Sequence, residues 1–478
     1  MPPDSKMPGR SLLPASLVLV LVLAVSASVA EKVLQIPLLE VGGLWVKATH
    51  TATARVAGYL TSAPDLTSAW TYVRAAILVW LGYASWAFFW RPLNRVRKLG
   101  DVGYVAEGSF STKETANFIQ RRRKNGEDVP PFYPNGWFGL MESFCLKRGE
   151  SQALHVLGME LVIYRGQNDR AYVLDPYCPH NGGHLGVGGR VVGNCIECPF
   201  HAWTFRGEDG KCVSIPYMDT SAKIPTNARV KSHITTELNG WIYLWHHAEG
   251  LEPTWSVPEV EEINSGQWTY RGRTEHHINC HIEEIPENGA DLVHLGQVHG
   301  PVFAAGVDLR TMWSTFWSFA QHHWSAEWAQ CPQPDGHIGV VKLKHGLAVF
   351  DRMFPMLDLD VTAKQIGPGI VYLYFESALG NGVYLQHVTP LGPMHQKVVH
   401  DIYVSRYILP PVAKFYMLGE ALMVERDVMI WNNKQYMRRP LYVASKEDKL
   451  VKKHRDWYSQ FYSRQDKPAL RKDNTLDF

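Results

Sequence analysis

Cys178-Pro179-His180 and Cys198-Pro199-Phe200-His201, separated by seventeen residues, are the two runs from which this chain is read. Each run supplies one thiolate and one imidazole. A [2Fe-2S] cluster with two Cys on one iron and two His on the other needs two loops that each carry one of both. Neutral imidazoles bring less negative charge than thiolates, which raises the reduction potential and leaves a ring nitrogen free to protonate on reduction. Gly182, Gly183, Gly186, Gly188 and Gly189 suit loops that wrap a buried cluster closely. A zinc site built from Cys195, Cys198, His184 and His201 is the competing reading. Zinc modules pair Cys with Cys and His with His, at spacings this segment does not reproduce. Cys195 and Cys212 then read as ordinary thiols. The flanking sequence is β-like, with alternating runs such as Leu154 to Tyr164 and Ala171 to Leu174 between Gly, Asn and Asp turns. An all-β domain is expected over residues 132–250.

A second constellation lies downstream in Glu287-Asn288-Gly289-Ala290-Asp291-Leu292-Val293-His294-Leu295-Gly296-Gln297-Val298-His299. Two histidines and a carboxylate on one face of Fe(II) leave positions open for dioxygen. His294 and His299 are five residues apart, and five steps of an ideal helix turn the second side chain well off the face of the first. A break between them is required, and Gly296 can provide it. Asp291 precedes His294 by three residues, on the same face, where it can orient that imidazole. Alone, the segment could be a polar helix with two satisfied histidines; the cluster motif upstream argues otherwise. Further on, helical spacing over Val412 to Trp431 gives an apolar stripe of Met417, Ala421, Val424, Val428 and Trp431. Asp427 borders it. A carboxylate so placed is costly to bury unless a metal or cation pairs with it, and Glu420 and Glu425 are its competitors. Strands at Val340 to Phe350, Ile370 to Phe375 and Lys397 to Val404 accompany helices around Glu284 to Val298 and Val412 to Trp431. The expected fold is therefore α+β: an all-β domain, then an α+β, helix-grip-like domain over residues 251–445, and a tail over 446–478.

With 478 residues, 46% hydrophobic and 20% charged, the chain can bury more than one core. Its 48 basic and 46 acidic residues leave a formal charge of +2, so no overall field recruits nucleic acid. Seven unevenly spaced cysteines argue against a secreted disulfide framework and for a reducing compartment. Two apolar segments occupy the N-terminal region, residues 1–99. Leu12 to Ala30 reads as a signal peptide or an uncleaved anchor. Tyr72 to Trp90 is long enough for a bilayer, and Arg91, Arg95, Arg97 and Lys98 follow at once; by the positive-inside rule they keep all that follows in the cytosol. A buried core helix is the plainer alternative. Residues 100–131 turn polar, with Arg121-Arg122-Arg123-Lys124 near their end, and read as a linker with a juxtamembrane helix.

CPHNGGHLGVGG and CPFHAWTF resemble the Rieske domain of ring-hydroxylating and related oxygenases. Respiratory Rieske proteins typically add two bridging cysteines, and Gly183 stands where the first would be. Asn288-x2-Asp291-x2-His294-x4-His299 resembles the iron motif of Rieske oxygenase catalytic domains. The resemblance implies that Cys178, His180, Cys198 and His201 hold the [2Fe-2S] cluster and that His294, His299 and Asp427 hold a mononuclear Fe(II). It further implies that Asp291 bridges to a cluster histidine of a neighbouring subunit in a head-to-tail homotrimer. With PNGW at 134–137, ENGADLVHL at the iron motif and an N-terminal anchor, residues Pro134 to about Pro440 are similar to the Neverland-type cholesterol 7-desaturases and, more distantly, to bacterial 3-ketosteroid 9α-hydroxylases. That similarity implies a sterol substrate, dioxygen, NAD(P)H-derived electrons from a separate reductase, since no GxGxxG nucleotide unit is present, and an endoplasmic reticulum membrane location.

Overall fold

The computed structural model describes residues 69–106, 108–123, 129–437 and 440–463, with side chains given outside 120–123 and Met356. Leu12 to Ala30, Lys124 and residues 464–478 lie outside them. The chain divides into two units, Met1–Phe88 and Phe89–Phe478. Nearly all that is described of the first is helix α1, Ala69–Phe89, whose 21 residues leave no part of the apolar stretch buried. At 1.5 Å per residue it is about 31 Å long, close to the thickness of a bilayer's hydrocarbon core.

The second unit begins earlier than the sequence suggests. Residues 93–97, expected within the anchor region, form strand β1 (Leu93–Arg97), which pairs in parallel with β13 (Trp268–Ile278). The basic run after α1 is therefore part of the fold. Arg95 and Arg97 reach Glu425 at 2.7 and 3.1 Å, and Lys98 reaches Glu275 at 2.9 Å. These partners lie far away in sequence, which is why local pattern did not reveal them. The linker then holds helix α2 (Thr112–Arg123), opened by a reciprocal cap in which the Ser111 N–H donates to Glu114 at 2.7 Å and the Glu114 N–H to Ser111 Oγ at 3.3 Å.

Eleven strands build the all-β part in three small sheets: β2 (Gly136–Glu142), β3 (Ser151–Val156), β4 (Met159–Arg165), β5 (Ala171–Leu174), β6 (Arg190–Val192), β7 (Cys195–Glu197), β8 (Thr204–Arg206), β9 (Cys212–Ser214), β10 (Ser232–His233), β11 (Thr235–Leu238) and β12 (Trp241–His246). Their orders are β10-β5-β4-β3, β11-β12-β2 and β6-β7-β8-β9. Leu154 to Tyr164, read as one run, is a hairpin turned at Leu157-Gly158, both at positive φ.

The larger sheet runs β1-β13-β20-β19-β18-β17-β15-β14, where β14 is Ala320–Gln330, β15 Ile338–Val349, β17 Leu359–Ile366, β18 Ile370–Ser377, β19 Gly380–Gly392 and β20 His395–Ser405; β16 (Arg352–Met353) pairs with β15 alone. Except for β1, its neighbours are antiparallel. Trp241 joins the two parts by donating its indole N–H to Asp401 at 2.5 Å, and Thr389 does so by donating to the Gly139 carbonyl at 2.6 Å. Between β13 and β14 lie α3 (Glu284–Glu287) and α4 (Leu292–Val298); α5 (Pro410–Asn433) packs against β13, and its stripe Met417, Ala421, Val424, Val428 and Trp431 is buried as the spacing required. The expected tail is not one. Residues 446–458 form α6 (Lys446–Tyr458), whose Trp457 and Tyr458 share a core with Ala290, Trp328 and Val341, and whose Arg455 pairs with Glu287.

Candidate functional site

The loop after β5 and the turn between β7 and β8 set Cys178 beside Cys198 and His180 beside His201. The Gly182 N–H donates to the Cys178 carbonyl at 2.9 Å, and the Ala202 N–H to the Cys198 carbonyl at 3.1 Å; each turn ends on a residue at positive φ. Cys178 and Cys198 are buried side by side, while His180 is exposed and His201 half-buried. The two imidazoles face each other Nδ1 to Nδ1 at 3.2 Å. His180 lies flat on Trp203, ring centres 4.8 Å apart, and Trp203 donates to the Tyr217 hydroxyl at 2.8 Å. Burial pushes the Cys178 thiol up to about 11, and the adjacent Cys198 adds to the rise. Two thiols buried together ionise only against a strong positive charge, which a [2Fe-2S] cluster supplies. Gly183 fits the same reading: a Cβ there would stand 2.8 Å from Cys198 Sγ, so this position must be bare for the loops to close.

His294, His299 and Asp427 form the second group, with one ligand atom of each within 4.8 Å of the others. His299 Nε2 is 3.2 Å from Asp427 Oδ2. Helix α4 carries His294 and stops before His299, which occupies its C-cap with φ −103° and ψ 2°. The helix thus passes through Gly296 unbroken, contrary to expectation; its end, not an interior break, swings His299 round. Asp291 is the N-cap: its carboxylate accepts from the His294 N–H at 3.3 Å, and its backbone carbonyl bonds the His294 Nδ1. It acts on His294 through the backbone and is not one of the three converging groups. A metal fits the trio, because Asp427 Oδ1 and His299 Nδ1 are buried without a hydrogen-bond partner and a buried carboxylate needs a cation.

Of the competing carboxylates, Glu425 is spoken for. Burial raises it, but His276, Arg95 and Arg97 outweigh that and bring it down to about 2. Glu420 is pushed up to about 7 by burial, partly offset by His299 and reinforced by Asp427. Five neighbours escaped the sequence reading. Arg426, fully buried, donates to the carbonyls of Gly306 at 3.0 Å, Val298 at 3.1 Å, Pro301 at 2.8 Å and Val302 at 3.0 Å, tying the segment after His299 to the helix that carries Asp427. Trp324 donates to the His299 carbonyl at 3.2 Å. His322 and His345 share a hydrogen bond of 2.7 Å, and burial pushes them down to about 3 and about 4. Phe303 packs 4.6 Å from His322, close against Gly419, where a Cβ would meet its ring at 3.0 Å. Trp324 and the neutral His322–His345 pair thus line the His299 side of the trio. The only sequence signal was the charge of Arg426 beside Asp427, since its partners are backbone atoms.

Comparison with known proteins places these groups in context. Residues 136–232 match the Rieske [2Fe-2S] domain, and residues 244–462 match the 3-ketosteroid 9alpha-hydroxylase C-terminal domain. The chain is 48% identical over 395 residues to cholesterol 7-desaturase of Xenopus laevis, covering 82% of this chain and 85% of that one. It is 46% identical over 385 residues to cholesterol 7-desaturase 1 of Ciona intestinalis, covering 80% of each. Among solved structures, dicamba monooxygenase bound to dicamba shares the fold, with a TM-score of 0.51 at 17% identity over 69% of this chain and 98% of that one.

Proposed function

The chain belongs to the cholesterol 7-desaturase family of Rieske-type iron oxygenases, and on that premise we propose that it removes the hydrogens that leave a 7,8 double bond in cholesterol. The observation that carries the reading is the convergence of His294, His299 and Asp427 on the same chain as the paired Cys-His loops. Cys178, His180, Cys198 and His201 would hold the cluster; His294, His299 and Asp427 would hold the iron. When bound, the cluster passes single electrons and the iron activates dioxygen against a C–H bond. A separate reductase supplies NAD(P)H-derived electrons. The sterol gives up two hydrogens, and with two further electrons and two protons one dioxygen ends as two waters.

The chain's own groups set the stage for this. The His294 Nδ1–H donates to the Asp291 carbonyl, which fixes the tautomer and leaves Nε2 free as a ligand. Trp324 and Arg426 hold the His299 segment in place. Phe303, Trp324 and the neutral His322–His345 pair form a wall that excludes water and suits a hydrocarbon skeleton. We read α1 as a membrane span of the endoplasmic reticulum with the catalytic part in the cytosol, supported by its length and the basic residues after it. A head-to-tail trimer in which Asp291 couples the cluster of one subunit to the iron of the next accords with the exposure of His180 and Phe200 at the cluster edge. Chains with His201→Ala and with His294→Ala, each inactive, should regain partial turnover when co-expressed; no recovery in a proven mixed oligomer rules the route out.

The match of residues 244–462 to a steroid hydroxylase domain favours hydroxylation as the second reading, since both reactions begin with the same hydrogen abstraction. Cells expressing the chain and supplied with cholesterol distinguish them by mass spectrometry. A sterol lacking two hydrogens supports desaturation, one with an added oxygen supports hydroxylation, and unchanged cholesterol beside an intact holoenzyme overturns both.

A further inference from the structure

The two ends of the large sheet differ. At one end the turn residues are covered by the chain itself: the Leu157 N–H donates to the Pro390 carbonyl at 2.8 Å, the Tyr458 hydroxyl to the Pro368 carbonyl at 3.1 Å, and Trp255 stacks on His337. At the other end, strand register places the start of β14, the ends of β15, β18 and β20, and the starts of β17 and β19 together. There the turns display large apolar side chains: Phe316 (67% exposed), Phe350 (50%), Phe354, Leu379, Tyr407 (70%) and Leu409 (58%).

Phe350 is the most telling of these. It and Asp351 form the two-residue turn between β15 and β16, at φ 50° and 60°. Such positions favour Gly or Asn, and a bulky residue there is strained. The chain accepts that strain to hold an aromatic ring at the tip of a hairpin.

The second unit's own chain begins at this same end. Strand β1 runs parallel to β13 with Leu93 opposite Gly272, so its start points the same way as the start of β13, which pairs with the end of β20 at Ser405. Only three residues, Trp90, Arg91 and Pro92, separate Phe89 from Leu93, a reach of at most about 14 Å. The charge of Arg91 acts on Lys414, in the first turns of α5, directly after Tyr407 and Leu409.

We propose that this end of the sheet is a second membrane contact, in which the apolar turns around Phe316, Phe350, Phe354, Leu379, Tyr407 and Leu409 insert shallowly into the bilayer that α1 spans. The proposal rests on reading α1 as a membrane span. Acidic Asp351 and Glu376 stand exposed beside basic Arg352 and Arg406, so insertion of apolar groups, not attraction to anionic lipid, is the driving term. A sterol would then pass from the membrane to the iron side of the sheet without crossing bulk water.

The test reconstitutes the full chain in phosphatidylcholine vesicles containing a photoactivatable phosphatidylcholine with the reactive group near the headgroup end of one acyl chain, and maps labelled peptides by mass spectrometry. Labelling of α1 together with the peptides holding Phe316, Phe350–Phe354 and Tyr407–Leu409 is expected. Combined Phe316→Ser, Phe350→Asn and Phe354→Ser substitutions should reduce labelling of their peptides several-fold while α1 labelling and the cluster's visible spectrum stay unchanged; Asn suits the positive φ at 350, so folding is not at issue. Labelling of α1 alone overturns the second contact and leaves the span standing. No labelling of α1 overturns the span and this proposal with it. Cross-links between these peptides and a second copy of the chain, in place of lipid, overturn it by making the face an interface between subunits.

Discussion

Replacing Arg426 with Met tests the idea that a buried guanidinium, and not the ligands alone, builds the iron site. Methionine fills most of the same volume but donates nothing, so the carbonyls of Val298, Pro301, Val302 and Gly306 lose the donor they share. A buried carbonyl left without a partner costs about 1–3 kcal/mol. Four of them would exceed 4 kcal/mol at the least, but three of these bonds reach carbonyls in partly buried settings where water can substitute, and the desolvated charge is itself removed. A net loss of about 3–5 kcal/mol is expected, the range seen when one partner of a buried ionic network is deleted. The loss falls on one segment, 298–306, which begins beside His299, so the iron should leave before the fold fails. The assay is iron per chain by elemental analysis, with the cluster's EPR signal as internal control and chemical denaturation for stability. The wild-type chain should carry about three irons and Arg426→Met about two, with the Rieske signal intact. Arg426→Lys should behave almost as badly, because one ammonium group cannot serve carbonyls on four sides. A Met variant that retains its third iron and unfolds within about 0.5 kcal/mol of wild type would refute the reasoning.

Three other outcomes are expected. Asp427→Asn should lose the mononuclear iron and all turnover but keep the cluster spectrum, whereas Glu420→Gln should keep the iron; elemental analysis of the two side by side decides between the carboxylates. Gly183→Ala drives a methyl to 2.8 Å from Cys198 Sγ and should yield a folded chain whose visible absorption shows little or no cluster. Glu283 is raised to about 7, chiefly by burial, with Arg455 opposing and Glu287 adding to it. A raised carboxyl binds its proton more tightly in the folded state, so its contribution to stability is present below about pH 4.5 and is lost as pH rises through 7. Glu283→Gln should flatten that decline in denaturation midpoints taken across pH 5 to 8, and an unchanged slope would contradict the assignment.

What could be read from the sequence was whatever is encoded within a few residues. Cys178 and His180, or Cys198 and His201, sit in single turns, so spacing alone brought their chemistry into view, and the structure sets the two thiols beside each other and the two imidazoles beside each other. The stripe on α5 put Asp427 at a buried edge in the same way. Errors arose where distant partners decide. β1 looks like the flank of a membrane span until Glu425 and β13 are present to pair with it. α6 looks like a tail because its anchors, Glu287 and the core around Trp328, lie more than a hundred residues away. Gly296 invited a helix break that the chain achieves more cheaply by ending the helix, and Arg426 was hidden because backbone carbonyls have no sequence signature.

The early start of the second unit has a practical consequence for anyone wishing to free the oxygenase from its anchor. The natural cut, judged from composition, falls near Gly100, where polar linker begins. A chain trimmed there would shed β1, bare the edge of β13 to solvent and to edge-to-edge association, and strand the Glu425 carboxylate, two residues from Asp427, in the interior without either guanidinium. Such a preparation would be expected to aggregate or to arrive deficient in iron, and the defect would be mistaken for a need for lipid. A cut that keeps this strand falls before Arg91. A form that begins there keeps the strand, its two arginines and the helix they steady.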